Sequence, residues 1–293
     1  SVVKAGDHAI CVQKPYSWTN ALLNKYLVNY GVTATMIDGC HIENFEKAIK
    51  PNTKLIYLES PNSLTFELQD IEAVSKLAHK HGISVVIDNS YSSPLCQKPL
   101  ELGADLVLHS ASKYIGGHSD LVAGVVCGSK ARIENMFSKE FMNLGAIIAP
   151  NDAWLMIRSL RTLQLRIDKA VYITPQVVDA LVGHPKIERI YYPFLKTNPQ
   201  YELAKKQMKG SPGLFSVLLK TDIKGVERFC NSLKRFLMAV SWGGHESLVI
   251  PFCAISEDNR KASNLPENLV RFFIGIDEVE YLKQDILQAL DKI

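Results

Sequence analysis

Six short, almost unbroken apolar runs punctuate the first half of the chain, at 8–13, 33–38, 54–59, 84–89, 105–110 and 123–128. Stretches whose apolar residues recur at helical spacing lie between them, at 18–30, 42–50 and 70–81, the last ended by Gly82. A strand with little polar alternation is a strand covered on both faces, and parallel pairing needs helical crossovers of this length. The pattern predicts an α/β domain: a mostly parallel sheet flanked by helices. In such sheets ligands collect beyond the carboxyl ends of the strands.

The second half is spaced differently. From about Asn151 one long helical stretch runs towards Gly183 and is closed by Gly183, His184 and Pro185. Strand candidates then follow at 188–192, 214–219, 238–241 and 269–275, with helices at 226–236 and 279–293. This reads as a smaller carboxyl-terminal α/β domain, with the boundary inside the long helix near Ser159, giving domains 1–158 and 159–293. A chain of 293 residues is long enough for both cores.

Composition removes several function classes. The formal charge is only +3 and the lysines are scattered, with no basic run interleaved with aromatics, which argues against a nucleic-acid partner. No stretch approaches the ~18 apolar residues of a membrane span, and the first residues lack the pattern of a signal peptide. The cysteines, Cys11, Cys40, Cys96, Cys127, Cys230 and Cys253, are far apart and read as reduced thiols. The histidines show no ligand spacing; His79 and His81 merely share a helix end. No metal is expected, and the cytosol is the default compartment.

Two strand ends carry chemistry. Asp88 ends the run at 84–89, and Lys113 follows the next run directly, between Ser110–Ser112 and a Gly116–Gly117 turn. One crossover joins the two strands, so both side chains reach one sheet edge. A lysine and an aspartate there meet the needs of pyridoxal 5'-phosphate (PLP). The amine captures the aldehyde as a Schiff base and the carboxylate keeps the pyridine nitrogen protonated. Loss of solvation at the loop would lower the amine's pKa. Taken singly, each residue also has a plainer reading. Lys113 could be a surface lysine, and Asp88, Ser110 and Ser112 good turn formers. As a pair beyond adjacent strands, they favour cofactor and phosphate. Tyr16, after the first strand, either packs or stacks on the ring and exchanges protons. Arg271, in an otherwise apolar strand, either points to solvent or clamps a carboxylate.

These segments together resemble the cysteine and methionine metabolism family of PLP-dependent enzymes. The resemblance rests on Glu-Ser-Pro-Asn-Ser at 59–63, Val-Ile-Asp-Asn-Ser at 86–90, and His-Ser-Ala-Ser-Lys-Tyr-Ile-Gly-Gly-His-Ser-Asp at 109–120. Further matches are Leu-Arg-Thr-Leu at 160–163, Ser-Trp-Gly-Gly-His-Glu-Ser-Leu at 241–248 and Arg-Phe-Phe-Ile-Gly-Ile at 271–276. It implies the PLP-dependent transferase-like fold (fold type I). Lys113 would then carry the cofactor, Asp88 meet the ring nitrogen, Ser110 and Ser112 bind phosphate, and Tyr16 stack on the ring. Ser241 and Arg271 would hold the substrate carboxylate, with Trp242 beside them. Trp242 stands where γ-active relatives typically have leucine and the bacterial β-lyases have tryptophan.

The implied reaction is β-elimination of L-cystathionine to homocysteine, pyruvate and ammonia, in trans-sulfuration and methionine biosynthesis. The alternatives are a γ-active relative and a catalytically inactive scaffold of the same fold. A nicotinamide dehydrogenase is disfavoured, because no Gly-x-Gly-x-x-Gly follows a strand. The resemblance further implies a small-molecule sulfur amino acid as substrate. It also implies a homotetramer, a dimer of dimers with active sites shared between subunits. Family chains extend roughly a hundred residues further at the amino end; that region is expected to supply an arm to the neighbouring subunit and a helix amino terminus for the phosphate. His245 departs from the family's pattern, so substrate preference is expected to differ.

Overall fold

The computed structural model describes residues 1–255, 260 and 265–293. Its first sheet has six strands: β1 (His8–Val12), β2 (Thr33–Ile37), β3 (Thr53–Glu59), β4 (Ser84–Asp88), β5 (Leu106–Ser110) and β6 (Gly124–Gly128). They lie in the order β2-β1-β3-β4-β5-β6. All neighbours from β2 to β5 pair in parallel, while β6 returns antiparallel to β5. The reason is local: residues 111–123 form turns rather than a crossover helix, so the chain doubles back. The fold is the expected α/β type, with a mixed sheet.

Alternation along the strands sorts the side chains. Ile10, Val12, Ile56, Leu58, Val85 and Ile87 pack on one face with Phe45, Ile71, Val74 and Ala78 from the helices. Ala9, Cys11, Leu55, Val86 and Leu106 face the other way, with Tyr57 and Leu108. Register pairing sets Glu59 beside Asp88 on that second face, and Ser110 ends the next strand two residues beyond Leu108. The helix Ile71–Lys80 starts at Asp70, whose carboxylate accepts the Ala73 N–H at 3.0 Å.

The long helix expected from Asn151 is two helices, Pro150–Leu160 and Leu163–Leu181. The Ser159 carbonyl accepts the Thr162 N–H, the Thr162 hydroxyl and the Arg166 guanidinium, so the chain takes a tight turn at Arg161–Thr162. We propose this turn, beside Ser159, as the division between the two domains.

Beyond it lies a five-stranded sheet of β7 (Ile187–Tyr191), β8 (Leu214–Leu219), β9 (Leu237–Met238), β10 (Leu248–Pro251) and β11 (Leu269–Phe273). Its order is β7-β8-β11-β10-β9, antiparallel except where β9 meets β10. Sequence reasoning missed β10, a four-residue run ending in proline. It also ran the helix at 226–236 too far. The helix Ile223–Ser232 ends early because the Asp285 carboxylate takes the Lys234 and Arg235 N–H groups, which holds them off the helix.

One face of this sheet packs on the helices Leu163–Leu181, Ile223–Ser232 and Val279–Leu290. At its centre Phe272 stacks on Phe215 at 5.2 Å and receives the edges of Phe229 and Phe236. The opposite face carries Arg271 and Phe273 towards the first sheet, where Phe273 joins Phe66, Tyr91 and Tyr114 in a cluster drawn from both halves. Phe272→Ala should cost about 3–5 kcal/mol of unfolding free energy in denaturant titrations. A loss below ~1 kcal/mol would mean that the ring cluster does not hold the second sheet.

Candidate active site

Lys113 leaves the end of β5 in a loop that has little freedom. Its N–H donates to the Ser110 carbonyl at 3.0 Å, and its own carbonyl accepts the Gly117 N–H at 2.7 Å. The Arg166 guanidinium donates to the Tyr114 carbonyl at 2.7 Å and lies so close over Gly117 that a side chain there would collide with it. Gly243 presses on the loop from the other half: at φ +89°, a Cβ on it would come 2.8 Å from Lys113 Cα. The amine Nζ donates to Ser241 Oγ at 2.8 Å and lies 5.6 Å from the centre of the Trp242 ring. Burial, then the nearby Arg271 charge, lowers the Lys113 pKa, so the neutral amine is reached sooner than in an exposed lysine.

Asp88 connects to this loop through backbone bonds. Its Oδ1 accepts the Ser90 N–H at 2.9 Å; Ser90 Oγ accepts the Ser110 N–H at 2.6 Å; the Ser110 carbonyl takes the Lys113 N–H. Glu59, the partner of Asp88 in the strand register, was not singled out by sequence. Glu59 is buried, and its carboxyl accepts the Tyr16 N–H at 2.7 Å and meets Ser63 Oγ at 2.5 Å. Burial, then Asp88 beside it, pushes Glu59 up to about 8; burial also raises Asp88. The signal available beforehand was an acid ending an apolar strand next to the strand of Asp88.

The remaining expected residues divide. The Tyr16 ring is half exposed and lies close enough to Asp88 and Glu59 that both, after burial, raise its pKa. The Ser110 hydroxyl makes no hydrogen bond among the described residues. The Ser112 hydroxyl is engaged: it accepts the Ala123 N–H at 2.9 Å and donates to the Ala123 carbonyl at 3.3 Å, so it must turn to serve a phosphate. Arg271 is 9% exposed and donates to the Val240 carbonyl. Burial lowers its pKa to about 10, and among the described residues no carboxylate pairs with it. His245 lies outside this group, exposed, with Nδ1 3.2 Å from Glu246.

The charges are therefore sorted. Among the described residues, the two carboxyls that end β3 and β4 pair with no cation, and two cations, Lys113 and Arg271, pair with no carboxylate. A protonated ring nitrogen suits the acids, an aldehyde the Lys113 amine, and an amino-acid carboxylate Arg271, so the residues present fit PLP and its substrate. Among the described residues no group of three or more His, Cys, Asp or Glu is arranged to hold a metal. Gly243→Ala should displace the Lys113 loop and lower turnover about 100-fold, as expected for an ~1 Å misplacement. Normal rates with normal visible absorbance would show that the loop accommodates the methyl.

The family model for Cys/Met metabolism PLP-dependent enzymes matches residues 1–291. An L-methionine gamma-lyase of Treponema denticola is 40% identical over 301 residues, covering 100% of this chain and 75% of that protein. The chloroplastic cystathionine gamma-synthase 1 of Arabidopsis thaliana is 39% identical over 100% of this chain and 53% of its own length. A cystathionine gamma-lyase of Bacillus subtilis is 35% identical over 99% of this chain and 77% of its own. The crystal structure of metB from Corynebacterium glutamicum superposes with a TM-score of 0.95 at 36% identity, covering 99% of this chain and 76% of that one. The chain belongs to the Cys/Met metabolism family of PLP-dependent enzymes, and pyridoxal 5'-phosphate is its cofactor.

Proposed function

We propose that this enzyme cleaves the β carbon–sulfur bond of a thioether amino acid, with L-cystathionine the substrate and homocysteine, pyruvate and ammonia the products. The observation that carries the reading is Trp242. Its indole lies 5.6 Å from Lys113 Nζ and 5.5 Å from the Tyr114 ring, beside Ser241. A rigid ring at that point narrows the space next to the base and favours a bond broken close to the α carbon. The γ branch is the second reading. It draws support from the relatives, whose names are those of methionine gamma-lyases, a cystathionine gamma-synthase and a cystathionine gamma-lyase.

When bound, PLP supplies an aldehyde that captures the substrate amine and a ring that accepts electrons. The chain's residues do the rest. Arg271 and Ser241 grip the substrate carboxylate and so aim the α C–H at Lys113. Lys113, whose neutral amine burial favours, would take the α proton as general base. Arg271 aids this by disfavouring a charged amine nearby. Asp88 holds the ring-nitrogen proton, and Ser110, with Ser112 once its hydroxyl has turned, receives the phosphate. Tyr16, near both acids, would stack on the ring and serve as a second group for proton exchange.

We further propose that the chain assembles with copies of itself. Trp18, Val122, Leu144, Ile147 and Leu165 are each at least 70% exposed, and an interface between copies would cover such apolar side chains. A dimer of dimers in the cytosol is the form we expect. Among the described residues no helix is long and apolar enough to cross a membrane.

Product analysis tests the reaction. The holoenzyme should release pyruvate from L-cystathionine; a dominant 2-oxobutyrate signal, or dependence on an acylated homoserine, would assign it to the γ branch. Minor γ activity is compatible with the proposal, because one pocket side chain changes such selectivity by only ~1–3 kcal/mol. Lys113→Ala should abolish the visible cofactor band, and Asp88→Asn should slow elimination by ~2–4 orders of magnitude while PLP still binds. Near-normal turnover of Asp88→Asn would make that carboxylate structural.

A further inference from the structure

The site as assigned leaves Glu59 without a task, although it is among the most confined acids in the molecule. It is 6% exposed, ends β3 directly beside Asp88, and has hydrogen-bond partners on both carboxyl oxygens, the Tyr16 N–H at 2.7 Å and Ser63 Oγ at 2.5 Å. The groups that face it are Asp88 on β4, Tyr57 on its own strand, Cys11 on β1 and Tyr16 in the loop after β1. None is a cation, and among the described residues no lysine, arginine or histidine pairs with Glu59 or Asp88. Two carboxyls this close without a counter-ion do not both ionise near neutral pH.

Which of the two keeps the proton follows from their surroundings. Asp88 is only partly covered at the end of its strand, and its charged form is favoured by hydrogen bonds from Ser90 whether or not a ring nitrogen is present. Glu59 is the more deeply buried of the two, and although burial is the largest influence on both titrations, only Glu59 is raised by its neighbour's charge as well. We propose that Glu59 is a positioning residue of the reaction: a neutral acid that anchors the Tyr16 backbone and leaves Asp88 alone to carry the negative charge towards the ring nitrogen. The neutral acid accepts the Tyr16 N–H on Oε2 and the Ser63 hydroxyl on Oε1, and keeps its own proton within this buried pocket. Tyr16 is thereby fixed at the sheet edge without a second negative charge under the ring. The inference deepens the role given above to Asp88 and rests on it.

The sign of the pH effect follows. An acid whose pKa rises from its ordinary 4.5 to about 8 on folding stabilises the native state below 4.5, and that contribution is lost as pH rises towards 8. Melting temperatures of the cofactor-free protein should therefore fall between these values, and Glu59→Gln, which cannot ionise, should flatten the slope. An unchanged slope would overturn the proposal. Infrared spectra of the same cofactor-free protein at neutral pH should contain a protonated-carboxyl C=O band that Glu59→Gln removes and Asp88→Asn retains. A band removed only by Asp88→Asn would place the proton on the wrong partner. In the holoenzyme, Glu59→Ala should lose about tenfold or more in kcat/KM through release of Tyr16, and Glu59→Gln should recover most of that loss. Glutamine as impaired as alanine would mean that a charge is needed at 59. The infrared and melting measurements need no cofactor. A normal Asp88→Asn turnover would thus remove the assigned role of Asp88 while the location of the proton stayed decided.

Discussion

The two carboxyls at the ends of β3 and β4 set the terms for the rest of the molecule. Parallel strands in register place Glu59 and Asp88 side by side on one face of the sheet, and the described residues bring no cation to them. Negative charge enclosed in this way is costly unless a proton or a bound cation answers it. The chain's own cations, Lys113 and Arg271, are held elsewhere, by Ser241 and the Val240 carbonyl respectively. Folding alone therefore yields two half-sites of opposite sign. What brings them together is a molecule with a positive ring nitrogen, an aldehyde and, through its substrate, a carboxylate. On this reading, unanswered charge at both half-sites favours this class of ligand.

Much of this was legible in the sequence because it depends on local signals. Apolar runs bounded by turns gave the strands, and Asp88 and Lys113 stood out because one ends such a run and the other lies just beyond the next. Their proximity needed only the assumption of one crossover between neighbouring parallel strands, which β4 and β5 satisfy. Glu59 escaped notice for the opposite reason. Its significance lies in the pairing of β3 with β4 and in the depth of its burial, and neither is a property of the segment that contains it. The engagement of Ser112 with Ala123 was hidden in the same way, because it depends on β6 folding back against the lysine loop. The break at Arg161–Thr162 was invisible because no glycine or proline marks it; competition for the Ser159 carbonyl does.

The second sheet contributes through its far face. Phe272 turns inward to an aromatic cluster, so its neighbours in the strand, Arg271 and Phe273, must turn towards the first sheet. Strand alternation thus determines where a buried guanidinium emerges, and Phe273 beside it packs with Tyr114, the residue after the lysine. The position of Arg271 relative to Lys113 is set by core packing on both sides of one strand. Side chains far from any substrate consequently set the geometry of the carboxylate grip proposed for Arg271.

The hydrogen bond from Lys113 to Ser241 joins residues 128 positions apart. During synthesis the amine leaves the ribosome well before its partner, and Gly243 and Arg271 follow later still. At the ~5–20 residues per second of translation, the first sheet has several seconds in which to form alone. Throughout that interval the lysine lacks the serine, the indole and the guanidinium that restrain it and tune its amine. A nascent chain is in this way kept from holding a finished reactive centre, and competence arrives only as the last strand is laid into the second sheet.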